Sequence, residues 1–507
     1  MKLCLSRTMK IATKQNTKKK PDHSSHLEIG KFIQDIGFVG FAEIFVSFGG
    51  IILIPLLTKT LGAYGYGLWQ QAMVTIGILS PLASFGLNNA LVRFLPAKKQ
   101  KNDKQQLFLS ILFFKFTISI LLLSLFIVFS ERIAHYFFNN ETSIVLITGF
   151  IFLIGGTNIL CQFYFRSLRK IKIYSLFRII DSYAKIAVAY YMILIGKGIF
   201  GALQGYLCVE IIFLFIYLGI IISEIGFSVP KFSDLKQYLK YGIPLIPTGI
   251  SLWMIMFSDR YVISYYMEFS NVGVYSAAYN VGFLFFMIVE LFDFVLMPTI
   301  AKFYDEGNVE KVKTYLRFVF KIYLLLAIPA IVGLSFLSKQ ILVFFTTAQI
   351  AENGWLITPI IAISSLFSGL FVIYDKPLRM SKKTSKIGLI VTITAILNLL
   401  LNFGLIPRYG ILGAAIATLI SYCFSASIII IFSVKEMKFG INPHILLKTL
   451  CASFVIGVIC YVWQPSSFIG LIFCIITSFI TYFIILYLIG GIKIDEIKSL
   501  FSMMKQK

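Results

Sequence analysis

Apolar runs of about 20 residues recur between positions 37 and 490 of this 507-residue chain, parted by short polar segments. As helices, at 1.5 Å per residue, such runs match the hydrocarbon core of a bilayer. They do not alternate polar and apolar residues as barrel strands do. Composition agrees: 58% of residues are hydrophobic and 14% charged, where a soluble domain carries about 25% charged residues. Hydrocarbon offers no hydrogen bonds, so each spanning backbone must satisfy itself, as a helix does. The expected fold is an all-α integral membrane protein.

The runs predict about 14 transmembrane helices, near 37–58, 72–92, 107–130, 143–165, 173–196, 199–222, 241–263, 272–300, 316–338, 355–374, 387–407, 410–434, 445–463 and 468–490. Lys and Arg test this division, because loops on the cytoplasmic side are enriched in them. Most of the 46 Lys and Arg fall in the first tail, in alternate loops such as 93–106 and 375–386, and in the last tail. The intervening loops hold only Lys59, Arg132, Lys197, Lys339 and Arg408. Both termini of this multi-pass membrane protein are therefore expected in the cytoplasm. The same asymmetry accounts for most of the +23 net charge, so no nucleic-acid partner is expected.

Residues 1–35 read as a basic cytoplasmic tail without a signal-peptide core, either plainly disordered or tethered to anionic lipid, with Met9 an alternative start. Residues 491–507 read as a second cytoplasmic tail. The seven Cys (Cys4, Cys161, Cys208, Cys423, Cys451, Cys460 and Cys474) show no CxxC spacing, and the four His are scattered. Neither a disulfide framework nor a metal site is expected.

Two motifs repeat. Tyr66-Gly67-Leu68-Trp69-Gln70-Gln71-Ala72 is followed 206 residues later by Val272-Gly273-Val274-Tyr275-Ser276-Ala277-Ala278. Gly198-Ile199-Phe200-Gly201-Ala202 is followed 212 residues later by Gly410-Ile411-Leu412-Gly413-Ala414. Near-equal offsets imply a duplicated six-helix unit. Six is even, so the copies share one orientation, as in two-lobed transporters with a central site. The expected division is an N-lobe at 36–222, a cytoplasmic linker at 223–240, a C-lobe at 241–434, and two appended spans at 445–490.

These anchors resemble the polysaccharide-transporter branch of the multidrug/oligosaccharidyl-lipid/polysaccharide exporter superfamily. The resemblance rests first on Ile54-Pro55-Leu56-Leu57-Thr58-Lys59-Thr60-Leu61-Gly62-Ala63-Tyr64-Gly65-Tyr66-Gly67-Leu68 and Ser84-Phe85-Gly86-Leu87-Asn88-Asn89. In the second half it rests on Tyr241-Gly242-Ile243-Pro244-Leu245-Ile246-Pro247, Ser258-Asp259-Arg260-Tyr261 and Leu397-Asn398-Leu399-Leu400-Leu401-Asn402. It implies two pseudo-symmetric lobes around a central cavity, no cofactor, and a flippase. The implied cargo is a polyprenyl-diphosphate-linked oligosaccharide repeat unit, for O-antigen or capsule, moved to the outer leaflet by alternating access. Membrane lipids and other polysaccharide-assembly proteins are the implied partners, with H+ or Na+ as the coupling ion.

A charge at bilayer depth costs about 2.5–3.5 kcal/mol, which marks intramembrane ionisable residues as site candidates. Arg178, Asp181 and Lys185 share one helical face in span 5. Lys185 lies about 18 Å from the expected cytoplasmic end, near mid-bilayer. Two readings stand: cavity cations for the cargo's diphosphate, or an internal ion cluster holding helices together. Arg260 and Lys115 are further cavity cations. Asp181, Asp259, Glu43 and Glu210 are candidates for ion coupling or charge balance. Glu290 and Asp293 sit near the cytoplasmic end of span 8. Pro244 and Pro247 bend span 7, either as a gate hinge or as a static kink.

No GxxxxGK[ST], zincin helix or serine-hydrolase elbow is present, so no enzyme is expected. A cation-driven multidrug exporter of the same fold is the rival transporter. A membrane polysaccharide polymerase is disfavoured, because the outward loops are short and poor in acid/base groups. The topology is open to labelling in intact cells. A cysteine at Lys99 is expected to resist an impermeant thiol reagent and one at Asn140 to react; the reverse pattern would refute the orientation.

Overall fold

The computed structural model describes residues 23–440 and 443–491, and every regular element among them is helical. The tail readings for 1–22 and 492–507, with Met9 and Cys4, lie outside the described residues. The first helix begins at His23, so 23–35 is helical where a tail was expected.

Ten helices among the described residues are long and apolar enough to cross a membrane. Two of them are too long for one crossing. Phe38–Ser84 has 47 residues and Thr384–Glu436 has 53, about 70 and 80 Å against a hydrocarbon core of about 30 Å. Each is two helices meeting at a glycine. Gly62 sits at φ 67°, ψ −171° and Gly410 at φ 59°, ψ −142°, conformations that are costly for any residue with a Cβ. A Cβ on Gly62 would meet nothing within 4 Å, so the backbone conformation alone demands glycine there. The loop expected at 59–71 thus shrinks to a break at one residue, and the Tyr66–Ala72 motif is helical.

Other boundaries move as well. The stretch 72–92 is cut at Phe85-Gly86 and resumes as Leu87–Phe94. The stretch 272–300 is two helices, Ser270–Phe283 and Phe286–Asp305. Ile171–Leu194, at 24 residues, is long enough to cross and differs from the ten in carrying Lys172, Arg178, Asp181 and Lys185.

The repeated motifs recur in backbone detail. Gly198 and Gly410 both turn the chain at positive φ, 58° and 59°. So do Arg169 and Lys382, at 55° and 57°. The ion pairs Lys170–Glu224 and Lys383–Glu436 staple equivalent turns to the ends of equivalent helices. Ser130–Phe137 and Ser338–Phe345 are matching eight-residue helices. Gly67 and Gly273, one from each copy, touch: a Cβ on Gly67 would lie 3.1 Å from the Gly273 nitrogen.

The apolar core falls into three clusters. One draws on residues 87–238, one on 255–439, and a third joins both stretches to the last two helices. Tyr482 in Phe468–Leu488 donates to the Leu325 carbonyl at 2.7 Å, which fastens those last helices to Val309–Phe336.

Gly62→Ala and Gly410→Ala are each expected to cost about 1–3 kcal/mol, read as a lower melting temperature in detergent. Gly404, helical with open space around it, is the control: Gly404→Ala is expected to be neutral or slightly stabilising.

Candidate functional site

The first described cation cluster lies between the first helix, Ile171–Leu194 and Gly198–Ile225. Four residues separate Asp181 from Lys185, one helical turn, and the Lys185 ammonium meets Asp181 Oδ2 at 2.8 Å. Glu210 Oε1 approaches the same ammonium from Gly198–Ile225 at 2.7 Å. Both carboxylates are buried. Asn158 Nδ2 fixes Glu210, donating to Oε2 at 2.5 Å and to the Glu210 carbonyl at 2.8 Å. Gly155 leaves room for it: a Cβ there would stand 3.0 Å from Glu210 Oε1. The Tyr206 ring covers the ammonium, with Nζ 5.0 Å from its centroid. Arg178, on the same helix, turns instead to Glu43 on the first helix, 3.6 Å away, and Tyr174 donates to Glu43 at 3.2 Å.

An ammonium has three donors. Two of those on Lys185 are taken by carboxylates, and the side chain is 12% exposed. The residual exposure faces a cavity of about 280 Å³ that Arg178, Asp181, Ser182, Lys185, Trp69 and Tyr206 help to line. A second cavity of about 340 Å³ adjoins it, sharing Gly50 and Leu53. Its polar wall is Tyr66, Gln70 and Asn280. Tyr66 accepts from Gln70 at 2.7 Å and from Asn280 at 3.0 Å, a contact between the two copies of the repeat. Each cavity is near or within the size range of small-molecule sites, about 300–1,000 Å³.

Span 5 thus brings Lys185, Asp181, Arg178, Glu43 and Glu210 together. Arg260 and Asp259 form a separate pair at 2.7 Å, each 1% exposed. Tyr275 donates to Asp259 at 2.5 Å, and the Tyr279 ring lies 4.2 Å from the Arg260 guanidinium. Lys115 is also buried, donating to the Gly156 carbonyl and to Asn88 at 3.5 Å. Arg260 and Lys115 were expected as cavity cations; the structure places neither on the wall of the two cavities. Pro244 lies in a short 3-10 turn, Ile243–Leu245, and Pro247 opens the next helix, Ile246–Tyr266. The Glu290 side chain lies outside the described residues. Asp293 meets Lys376 at 2.6 Å.

Several residues escaped the sequence reading. Asn158 and Tyr206 are polar positions in apolar runs, a signal that was available. Asp375 pairs with Lys376 and Arg379, each at 2.6 Å. Those three sit in a stretch that the charge count had assigned to a loop.

Apolar helices around two adjoining polar cavities, the second walled by residues from both halves of the chain, define a membrane-transporter fold. The chain matches the family described as "Polysaccharide biosynthesis protein" over residues 32–304, more than half its length, and belongs to that family. Residues 244–403 also match the MatE family. Among curated relatives, the probable flippase AglR of Haloferax volcanii is 25% identical over 49% of this chain, which spans about half (51%) of that relative's length. The probable low-salt glycan biosynthesis flippase Agl15 of the same organism is 22% identical over 73% of this chain and 76% of its own. Among solved structures, the lipid II flippase MurJ in an inward closed conformation aligns with TM-score 0.71 at 20% identity, covering 89% of this chain and 98% of MurJ. That likeness establishes the fold.

Removing one member of a buried ion cluster leaves uncompensated charge, at about 3–5 kcal/mol. Lys185→Ala is therefore expected to lower the melting temperature clearly, by stranding Asp181 against Glu210. The combination Lys185→Ala with Asp181→Asn is expected to recover most of that loss.

Proposed function

We propose that this chain is a flippase that carries a polyprenyl-diphosphate-linked oligosaccharide from the cytoplasmic to the outer leaflet. The observation that carries the reading is the pair of adjoining cavities, one within the first half and the other walled by both halves through Tyr66, Gln70 and Asn280. One end presents Lys185 and Arg178, the other the neutral donors of Tyr66, Gln70 and Asn280. A diphosphate suits the first and sugar hydroxyls the second. Without such a path a polar head group would face hydrocarbon at prohibitive cost. The matched family and the glycan biosynthesis flippase Agl15 among the relatives support the same cargo class.

The reading includes fourteen spans with both termini cytoplasmic. The lobes are 36–222 and 241–434, joined by the linker 223–240, with 445–490 appended. Alternating access moves the lobes about the cavity, and Pro244 and Pro247 serve as the hinge. Lys185 is paired twice when empty, so an anionic cargo has to compete with Asp181 or Glu210. A carboxylate so displaced is a natural site for H+ or Na+, which ties cargo movement to an ion gradient. Glu43 can do the same beside Arg178, while Asp259, sealed against Arg260, serves to balance charge. The chain works as a transporter, without covalent chemistry, in the membrane where lipid-linked glycans are made, and receives cargo from the proteins that assemble them. A drug exporter is the second reading, favoured by the MatE match over 244–403.

Deleting the gene is expected to trap lipid-linked repeat units on the cytoplasmic face and to remove the surface glycan. The stable Lys185→Ala/Asp181→Asn protein should not restore it, whereas Lys185→Arg, which keeps the charge, should restore it in part. Unchanged surface glycan with heightened drug sensitivity would favour the exporter.

A further inference from the structure

The two halves close against each other at two places, by different means. At the end expected to face outward, Gly67 and Gly273 touch and Asn280 donates to Tyr66. At the end expected to face the cytoplasm, the closure lies between two eight-residue helices, Leu87–Phe94 and Leu235–Gly242. There Gly86 and Gly242 approach so closely that a Cβ on Gly86 would stand 2.3 Å from the Gly242 oxygen. A Cβ on Gly242 would stand 2.3 Å from the Phe85 oxygen. Phe94 packs on Tyr238 and Tyr241, with ring centroids 5.3 and 5.7 Å away. Lys98 meets Asp234 at 3.5 Å on the rim.

We propose that these two short helices are the inner gate, and that Gly86 against Gly242 is where it parts. The inference rests on the transport reading. Each leaf of the gate is set off from its spanning helix by a break. Leu87–Phe94 is parted from the helix before it by Phe85-Gly86. Leu235–Gly242 is parted from Ile246–Tyr266 by the turn at Ile243–Leu245. Pro244 and Pro247 lack the N–H groups that would stiffen that turn. The Leu235–Gly242 leaf can therefore swing while the rod above it keeps its packing. The ion pair on the rim is exposed and weak, Gly86 meets Gly242 through backbone alone, and the Phe94–Tyr238 ring contact beside them is what opening has to part.

Lys115 finds its role here as a positioning residue. Its buried ammonium ties Asn88, two residues beyond Gly86, to the Gly156 carbonyl. That bond holds one leaf to the body of the first half, so motion falls on the other leaf, where the prolines lie.

Paired cysteines test the gate. In Lys98→Cys/Asp234→Cys, and separately in Phe94→Cys/Tyr238→Cys, cross-linking is scored by gel mobility against the single-cysteine proteins. Surface-glycan restoration is scored before and after reduction. The expected result is an efficient cross-link that stops transport, with full recovery on reduction. Failure of both pairs to cross-link would overturn the closure. Transport that continues through a completed cross-link would overturn the gate. Failure of the reduced proteins to transport, after the cross-link had formed efficiently, would count against the transport reading and leave the contact standing.

Discussion

A charge inside hydrocarbon must find its counter-charge within the protein, and that requirement organises the centre of this molecule. The Lys185 ammonium, a little past the middle of Ile171–Leu194, is held between Asp181 and Glu210. Glu210 is held in turn by Asn158 and given space by Gly155. Four crossing segments are thereby tied around one positive charge once Arg178 has reached Glu43 on the first helix. In the second half, Asp259 and Arg260 pair under the rings of Tyr275 and Tyr279. The two halves have solved the same solvation problem with different residues, although their backbones repeat closely.

This difference has functional weight. The Arg260 pair is sealed, with no appreciable exposure, and behaves as part of the core. The Lys185 cluster keeps one edge on a cavity. Sealed pairs give up their partners only when the fold comes apart. A cluster at a cavity wall can trade a carboxylate for an anionic ligand and return to its resting state afterwards. Cation count alone therefore says little about where an anion binds in such a protein; what matters is which paired cation retains an unused donor facing space.

Much of this was legible in the sequence. Length and hydropathy gave the helical membrane fold, and the spacing of Arg178, Asp181 and Lys185 placed a polar face on span 5. The Tyr66 and Val272 motifs carry Gly67 and Gly273, which lie in direct contact. Other features were hidden for physical reasons. Gly62 and Gly410 absorb whole turns into single residues, so a stretch of polar and small residues at 59–71 read as loop although it is helix. Phe85-Gly86 breaks a helix in a way that apolar periodicity does not register. Arg260 and Lys115 looked like cavity cations because a sequence reports depth along a helix but not which neighbour covers the side chain. Lys185 could be assigned to a face, but its second partner, Glu210, lies on a different helix and only the packing brings it close.

The most direct measurement is translocation by the purified protein alone. Reconstituted into liposomes with a fluorescent polyprenyl-diphosphate oligosaccharide confined to one leaflet, the protein should render the label accessible to a membrane-impermeant quencher on the other side. The account predicts transfer that depends on the protein and is competed by unlabelled lipid-linked oligosaccharide. Absence of transfer from folded, correctly inserted protein under an imposed H+ or Na+ gradient of either direction, with cationic dyes moved instead, would contradict it.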